Sequence, residues 1–299
     1  MPTPMVEGRG VAGVAAAHHK YAAIARIANL QRDSAIVRAL RDAGAVILGK
    51  TVTTEMGGAF PGPTTNPFDP GRTPGGSSSG SAAVIGACMV PAVIGTQVGG
   101  SLIRPASYCG NCALKPTMGA LHRGERQGYS QSHVGVHAGS LADMWRVAME
   151  IARRAGDDPG QPGLFGAPEL SPALQPARLI VMETAGWAGL DAETREGSDR
   201  ILAVLGGAGV EVLRSTDDPL IEAFERGIVE AKAITTDSPG PAPRGLGSTG
   251  DSVFNSPTSI LGAPAVTVPM LAIEGMPVGI QIVGQRHADA RTAGIALAP

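Results

Sequence analysis

The stretch T-P-G-G-S-S-S-G-S-A-A-V-I-G-A-C-M-V-P-A-V-I-G-T-Q-V-G-G-S-L-I-R-P-A-S-Y-C-G, residues 73–110, decides how this chain is read. Ser77 and Ser101 each follow a Gly-Gly pair. Glycine has no Cβ, so its backbone can take positive φ and approach other groups closely. Consecutive glycines ahead of a serine leave backbone N–H groups able to converge on one point, as an oxyanion hole requires. Between the two serines the sequence predicts a helix over 79–89 and a buried strand over 92–96.

Working outward, 34–43 reads as a helix capped at Asp33-Ser34, with Ile36, Val37 and Leu40 on one face. The apolar run 45–48, bounded by Gly44 and Gly49, reads as a buried strand. The Ala-rich stretch 11–30 has helical spacing. Further helices are expected over 139–155, 191–206, 218–233, 253–261 and 287–297, and strands over 179–182, 210–213, 265–268 and 277–283. A Pro/Gly linker is expected over 236–252. Helices and strands alternate, so the expected class is α/β with a mixed, mostly parallel central sheet covered by helices on both faces.

The 299 residues are 43% hydrophobic but only 3% aromatic, so the core must rely on Ala, Val, Ile and Leu. The net charge is −2 and no basic face is visible, which argues against nucleic-acid binding. No stretch approaches the apolar length of a membrane span. Three cysteines, Cys88, Cys109 and Cys112, fit a reducing, cytoplasmic setting. Cys109-Gly-Asn-Cys112 matches C-x-x-C but lacks the strand–helix context of a redox motif.

Other motifs weaken on inspection. Gly76 to Gly80 fits G-x-S-x-G with Ser78 as nucleophile, but the loop before it, 70–74, is no hydrophobic strand. Gly75 to Gly80 has P-loop spacing, yet Ser81-Ala82 stand where Lys and Ser/Thr belong. A plain reading of the heptad is a Gly/Ser turn that caps the next helix. His122, His133, His137 and His287 lack metal-ligand spacing, and Gly135 argues for a loop around the middle pair. Asp251 reads as a cap. No metal or cofactor is expected.

The full order is Gly-Gly-Ser, helix, strand, Gly-Gly-Ser, Arg-Pro, Cys-Gly, Leu-Lys-Pro-Thr. It resembles the amidase signature family, serine hydrolases that cleave amides through a Ser–Ser–Lys triad. The likeness runs from Asp33 to Gly119 and includes Gly44-Ala-Val-Ile-Leu-Gly-Lys-Thr51, Glu55 and Asn66-Pro67. It resumes at Ser248-Thr-Gly-Asp251, Gly262-Ala-Pro-Ala265 and Pro277-Val-Gly-Ile-Gln-Ile-Val-Gly284. The resemblance implies one amidase-type domain over 1–299. Within it, 1–32 would be an N-terminal remnant and 33–156 the Gly/Ser-rich catalytic core. Residues 157–240 would be a shortened, loosely matching region, and 241–299 would complete the sheet.

By the same resemblance, Ser101 is the acyl-forming nucleophile. Ser77, after a cis peptide at Gly76, passes the proton, and Ser78 supports it. The N–H groups of Val98, Gly99, Gly100 and Ser101 form the oxyanion hole. The base is a lysine, expected upstream of Met1, because Met1-Pro-Thr resembles the segment that follows it in the family. Lys20 is a weak candidate, and Lys115 in Leu-Lys-Pro-Thr reads as structural. Relative to the family a block near 225–240 is absent, and 130–139 is contracted and lacks Leu-Asp-Thr. Gln97 replaces a common aspartate, and Arg104 falls one place late. The expected activity is hydrolysis of a small amide or ester in a pocket walled by 57–74 and 120–140, with a homodimer allowed. The alternatives are an impaired relic or binding module without the base, or one component of a glutamine-dependent amidotransferase.

Overall fold

The computed structural model describes residues 33–297, except 59, 61, 125–126, 128–129, 171–173, 184–185, 215 and 224–240. Lys20, the helical stretch 11–30 and most of the expected helix 218–233 therefore lie outside the described residues.

Helix α1 (Ala35–Asp42) is capped by Ser34, whose Oγ accepts the Val37 N–H, and it buries Ile36, Val37, Ala39 and Leu40 as its spacing predicts. Helix α2 is Ser79–Gly86, and strand β1 is Ala92–Gln97. Helix α3 (Ile103–Tyr108) leads to strand β2 (Cys112–Lys115) and strand β3 (His133–Ala138). Helix α4 is Leu141–Ala155, with Ser140 Oγ accepting the Asp143 N–H. Strand β4 (Arg178–Ile180), helix α5 (Ala192–Gly207) and strand β5 (Glu211–Leu213) form a small outer unit. Helix α6 (Ser256–Ile260), strands β6 (Ala265–Ile273) and β7 (Met276–Val283), and helix α7 (Asp289–Ile295) complete the described chain.

Helices do cover both faces of the central sheet, but the strand directions differ from expectation. The five-stranded sheet has order β1-β3-β2-β6-β7, and every neighbouring pair in it is antiparallel. The only parallel pair among the described strands is β4–β5. The mostly parallel expectation assumed that each helix returns the chain in the same direction. Instead β2 and β3, consecutive strands, pair antiparallel, and β6 and β7 form a tight hairpin through Glu274 and Gly275, both at positive φ.

Two local expectations also fail. The segment 133–138 is not a loop but a fully buried strand between β1 and β2. Gly135 is there because of close approach, not turning: a Cβ at this position would run into the Leu114 carbonyl and the Leu102 side chain. Conversely, 45–48 is not a buried strand. Ala45 and Ile47 pack on the core, but Val46 and Leu48 are 57% and 61% exposed, and no described strand pairs with the segment.

The strands alternate by twos, so each sheet face has its own character. Ile94, Leu114, Val134, Val136 and Val266 join Ile36, Leu40, Met144, Trp145 and Ile151 in one apolar core under α1 and α4. The opposite face carries Gln97, Lys115, His133, His137, Thr267 and Gln281, and α2 and α3 pack against it.

Candidate active site

Helix α2 is held on β1 by small polar side chains. Ser78 Oγ accepts the Thr96 N–H at 3.2 Å and donates to Thr96 O at 3.3 Å. Three residues on, Ser81 Oγ donates to Ile94 O at 3.2 Å. The i, i+3 spacing on the helix thus meets the i, i+2 spacing on the strand. Ser78 is 1% exposed and engaged with backbone, which removes it as a G-x-S-x-G nucleophile and leaves it as a lock on the turn before α2.

That turn contains a cis peptide between Gly76 and Ser77. Ser77 O accepts the Thr54 N–H at 3.1 Å. The Ser78 N–H donates to Ser101 O at 3.1 Å, so the two Gly-Gly-Ser turns are tied backbone to backbone. They also share a cation. Arg104 Nη2 donates to Gly76 O at 2.7 Å and to Thr249 Oγ1 at 3.3 Å. Glycine is required at both flanks of this cation. A Cβ on Gly76 would lie 2.6 Å from Thr54 Cγ2, and one on Gly100 would lie 3.0 Å from Arg104 Nη1 and 2.7 Å from Asn255 Oδ1.

Among the described residues, none accepts a hydrogen bond from the N–H groups of Val98, Gly99, Gly100 or Ser101. Backbone donors are nearly always paired when buried. Gly100 is buried, and Val98, 47% exposed, opens the loop to solvent. The carbonyls of the same loop are occupied. Gly99 O accepts from Ser259 Oγ, Gly100 O from the Arg104 N–H, and Ser101 O from the Ser78 N–H. Carbonyls turned inward and N–H groups left unpaired make a concavity suited to negative charge. Ser77 and Ser78 also precede the first turn of α2, where the helix dipole favours an anion.

The other sequence candidates sort by burial. Cys109 and Cys112 are buried free thiols. Burial pushes the Cys109 thiol far above its ordinary range and Cys112 to about 11, so neither is a thiolate at neutral pH. Lys115 is fully buried, and its Nζ donates to the carbonyls of Thr258 and Ala263. Burial draws its pKa down to about 7, partly countered by the charge of Asp289. It makes no hydrogen bond to either serine. Asp251 Oδ1 accepts the Val253 N–H at 2.6 Å, a turn-capping contact. Of the stretch expected to wall a pocket, 133–138 is core strand.

The model of the amidase family matches residues 15–239. The chain belongs to this family. Among curated relatives, a glutamyl-tRNA(Gln) amidotransferase component from Gloeobacter violaceus is 42% identical over 136 residues, 42% of this chain and 27% of that one. The 1-carboxybiuret hydrolase component AtzE of a Pseudomonas species is 39% identical over 168 residues, 52% of this chain and 35% of that one. The matches thus span well under half the length of these relatives. Two solved structures share the fold at 23% identity. The corresponding glutamyl-tRNA(Gln) amidotransferase component from Thermotoga maritima superposes with a TM-score of 0.76 over 98% of this chain and 82% of that one. A peptide amidase from Stenotrophomonas maltophilia does so with 0.69 over 89% and 75%.

Sequence reading misses part of the candidate site. Ser259 and Asn255 lie outside the motifs singled out, and Gln97 and Arg104 stand there only as variants. One signal is available: α3 has no capping side chain of its own, so its first N–H groups need an acceptor from elsewhere.

Proposed function

We propose that this chain hydrolyses carboxylic amides, and esters with them, through an acyl-serine intermediate. Ser101 Oγ attacks the carbonyl carbon. Its proton passes through Ser77 to a base and then to the departing amine, and water releases the acid. The N–H groups of Val98, Gly99, Gly100 and Ser101 receive the charge that develops on the carbonyl oxygen. The observation that carries this reading is the loop 98–101, with its carbonyls engaged, its donors unpaired and its serine tied to the turn of Ser77. Family membership supports it independently. The substrate is a small amide or ester.

The test is labelling by a fluorophosphonate probe, with peptide mapping of the adduct, in parallel with ammonia release from simple amides. Label on Ser101 that disappears in Ser101→Ala supports the reading. A folded protein that takes no label overturns it.

A second reading rests on one observation: Lys115, the fully buried lysine of the site layer, spends its hydrogen bonds on Thr258 and Ala263 and not on Ser77. A chain without its base would keep the oxyanion loop and still be acylated by activated esters, whose leaving groups need no proton, but would not turn over amides. Comparing an activated ester with the matching amide separates the two. Ammonia release from glutamine only in the presence of a partner chain would instead indicate one component of an amidotransferase.

A further inference from the structure

Gln97 ends β1 and faces the catalytic layer. Its Oε1 accepts the N–H groups of Leu102 at 2.9 Å and Ile103 at 3.0 Å. Two donors on one atom fix that atom as the oxygen. The amide nitrogen then donates to Ser259 Oγ at 3.0 Å, and Ser259 Oγ donates to Gly99 O at 2.9 Å. The proton order is forced, because an amide nitrogen only donates and the serine proton is left for Gly99. Gln97 and Ser259 are each 1% exposed, so water does not compete for these bonds.

The relay acts on a peptide plane. In a trans peptide the C=O and N–H point in opposite directions. Tethering Gly99 O to Ser259 turns the Gly100 N–H away from Ser259. At the other end of the loop, Ser101 O is bonded to the Ser78 N–H, and the Leu102 N–H of the same peptide is bonded to Gln97. Gln97 therefore holds both ends of the segment that carries the unpaired donors.

We infer that Gln97 and Ser259 are positioning residues of the anion-binding loop. They fix the peptide between Gly99 and Gly100 in the orientation that presents its N–H to the developing oxyanion. Neither contacts the substrate. The inference builds on the acyl-serine reading and assigns the part that sets its geometry. A carboxylate at 97 would keep the acceptor for Leu102 and Ile103. It would also draw the Ser259 proton away from Gly99 and free that plane to rotate.

The experiment uses the full chain with Gln97→Glu, Ser259→Ala, Ser259→Thr and the double variant Gln97→Glu/Ser259→Ala. Acylation by p-nitrophenyl acetate is resolved into rate and KM, beside the affinity of a boronic acid that mimics the tetrahedral state. Gln97→Glu and Ser259→Ala are each expected to lower the acylation rate about ten- to hundredfold, less than or equal to loss of a direct donor. KM should stay unchanged, and boronate affinity should fall by the same factor. Ser259→Thr, which keeps the hydroxyl, should recover most of the rate, and the double variant should be little worse than either single one. Wild-type rates in both single variants overturn the inference. So does a loss of stability with a raised KM and unaltered boronate binding, the signature of mere packing. A wild-type chain that is not acylated at Ser101 overturns the acyl-serine reading itself, a result distinct from variants that match a reactive wild type.

Discussion

The two faces of the five-stranded sheet are built from the same strands and have opposite characters. One presents Ile94, Leu114, Val134, Val136 and Val266 to α1 and α4 as a continuous apolar core. The other presents Gln97, Lys115, His133, His137, Thr267 and Gln281 to the layer that holds both serines. On the polar face several buried atoms lack a well-aligned hydrogen-bond partner among the described residues: both ring nitrogens of His133, His137 Nε2, Thr267 Oγ1 and Gln281 Oε1. Poorly paired buried polar groups cost stability. Cohesion resides on one side of the sheet and site geometry on the other, so damage to each should read out differently.

The largest test is on the apolar side. Trp145 is 1% exposed, and its Nε1 donates to Ala167 O. Trp145→Ala should cost about 3–5 kcal/mol in urea denaturation. Acylation per folded molecule should not change. A matching fall in acylation would mean that the faces are not separable.

Arg104→Lys probes the polar side. Nη2 alone meets Gly76 O and Thr249 Oγ1 while Nη1 lies against Gly100, and lysine, with one nitrogen, cannot occupy both places at once. Acylation should fall about a hundredfold, comparable to the loss of an oxyanion donor. The melting temperature should fall less than in Trp145→Ala.

Acid sharpens the contrast. Burial first, then the charge of Lys115, lowers the His133 pKa to about 2, and burial lowers His137 to about 3. Both rings are neutral in the fold and protonate in the unfolded chain below their ordinary value, which is about 6.5. The unfolded state therefore binds more protons, and stability falls as pH drops from about 6.5 toward about 3. The slope is at most about 1.4 kcal/mol per pH unit for each histidine. Denaturation on either side of the ordinary histidine pKa should show it, and His133→Leu should flatten it by one proton.

The smallest effect is expected away from both faces. Arg178 and Glu211 pair across β4 and β5 at 2.7 Å with both side chains more than half exposed. Arg178→Ala should cost under about 1 kcal/mol. The difference should shrink further in roughly 1 M salt.

The same contrast explains what is legible in the sequence. Helices α1 and α4 are readable because cap and periodicity agree: Ser34 with Ile36, Val37 and Leu40, and Ser140 with Met144, Val147 and Ile151. β3 is not, because His133, Gly135 and His137 break the apolar pattern on its polar face, and Gly135 mimics a turn. The run 45–48 misleads in the opposite sense, since apolar residues alone do not supply a strand to pair with. In the site, the Gly-Gly-Ser repeats are visible because glycine is forced by contacts to Arg104, Thr54 and Asn255. The clamp through Ser259 is invisible, because its members lie 162 residues apart in the chain.

That separation has a consequence for biosynthesis. Thr249 holds Arg104 from 145 positions further along the chain, and Ser259 holds Gly99 of the second Gly-Gly-Ser turn from 160. Arg72, just before the first turn, is fastened to Ala242 O and to Glu274 in the final hairpin. A nascent polypeptide halted short of residue 249 already carries both hydroxyls but lacks these anchors. The geometry of the two turns is therefore complete only after residue 259 has been made, and contacts of such long range form slowly.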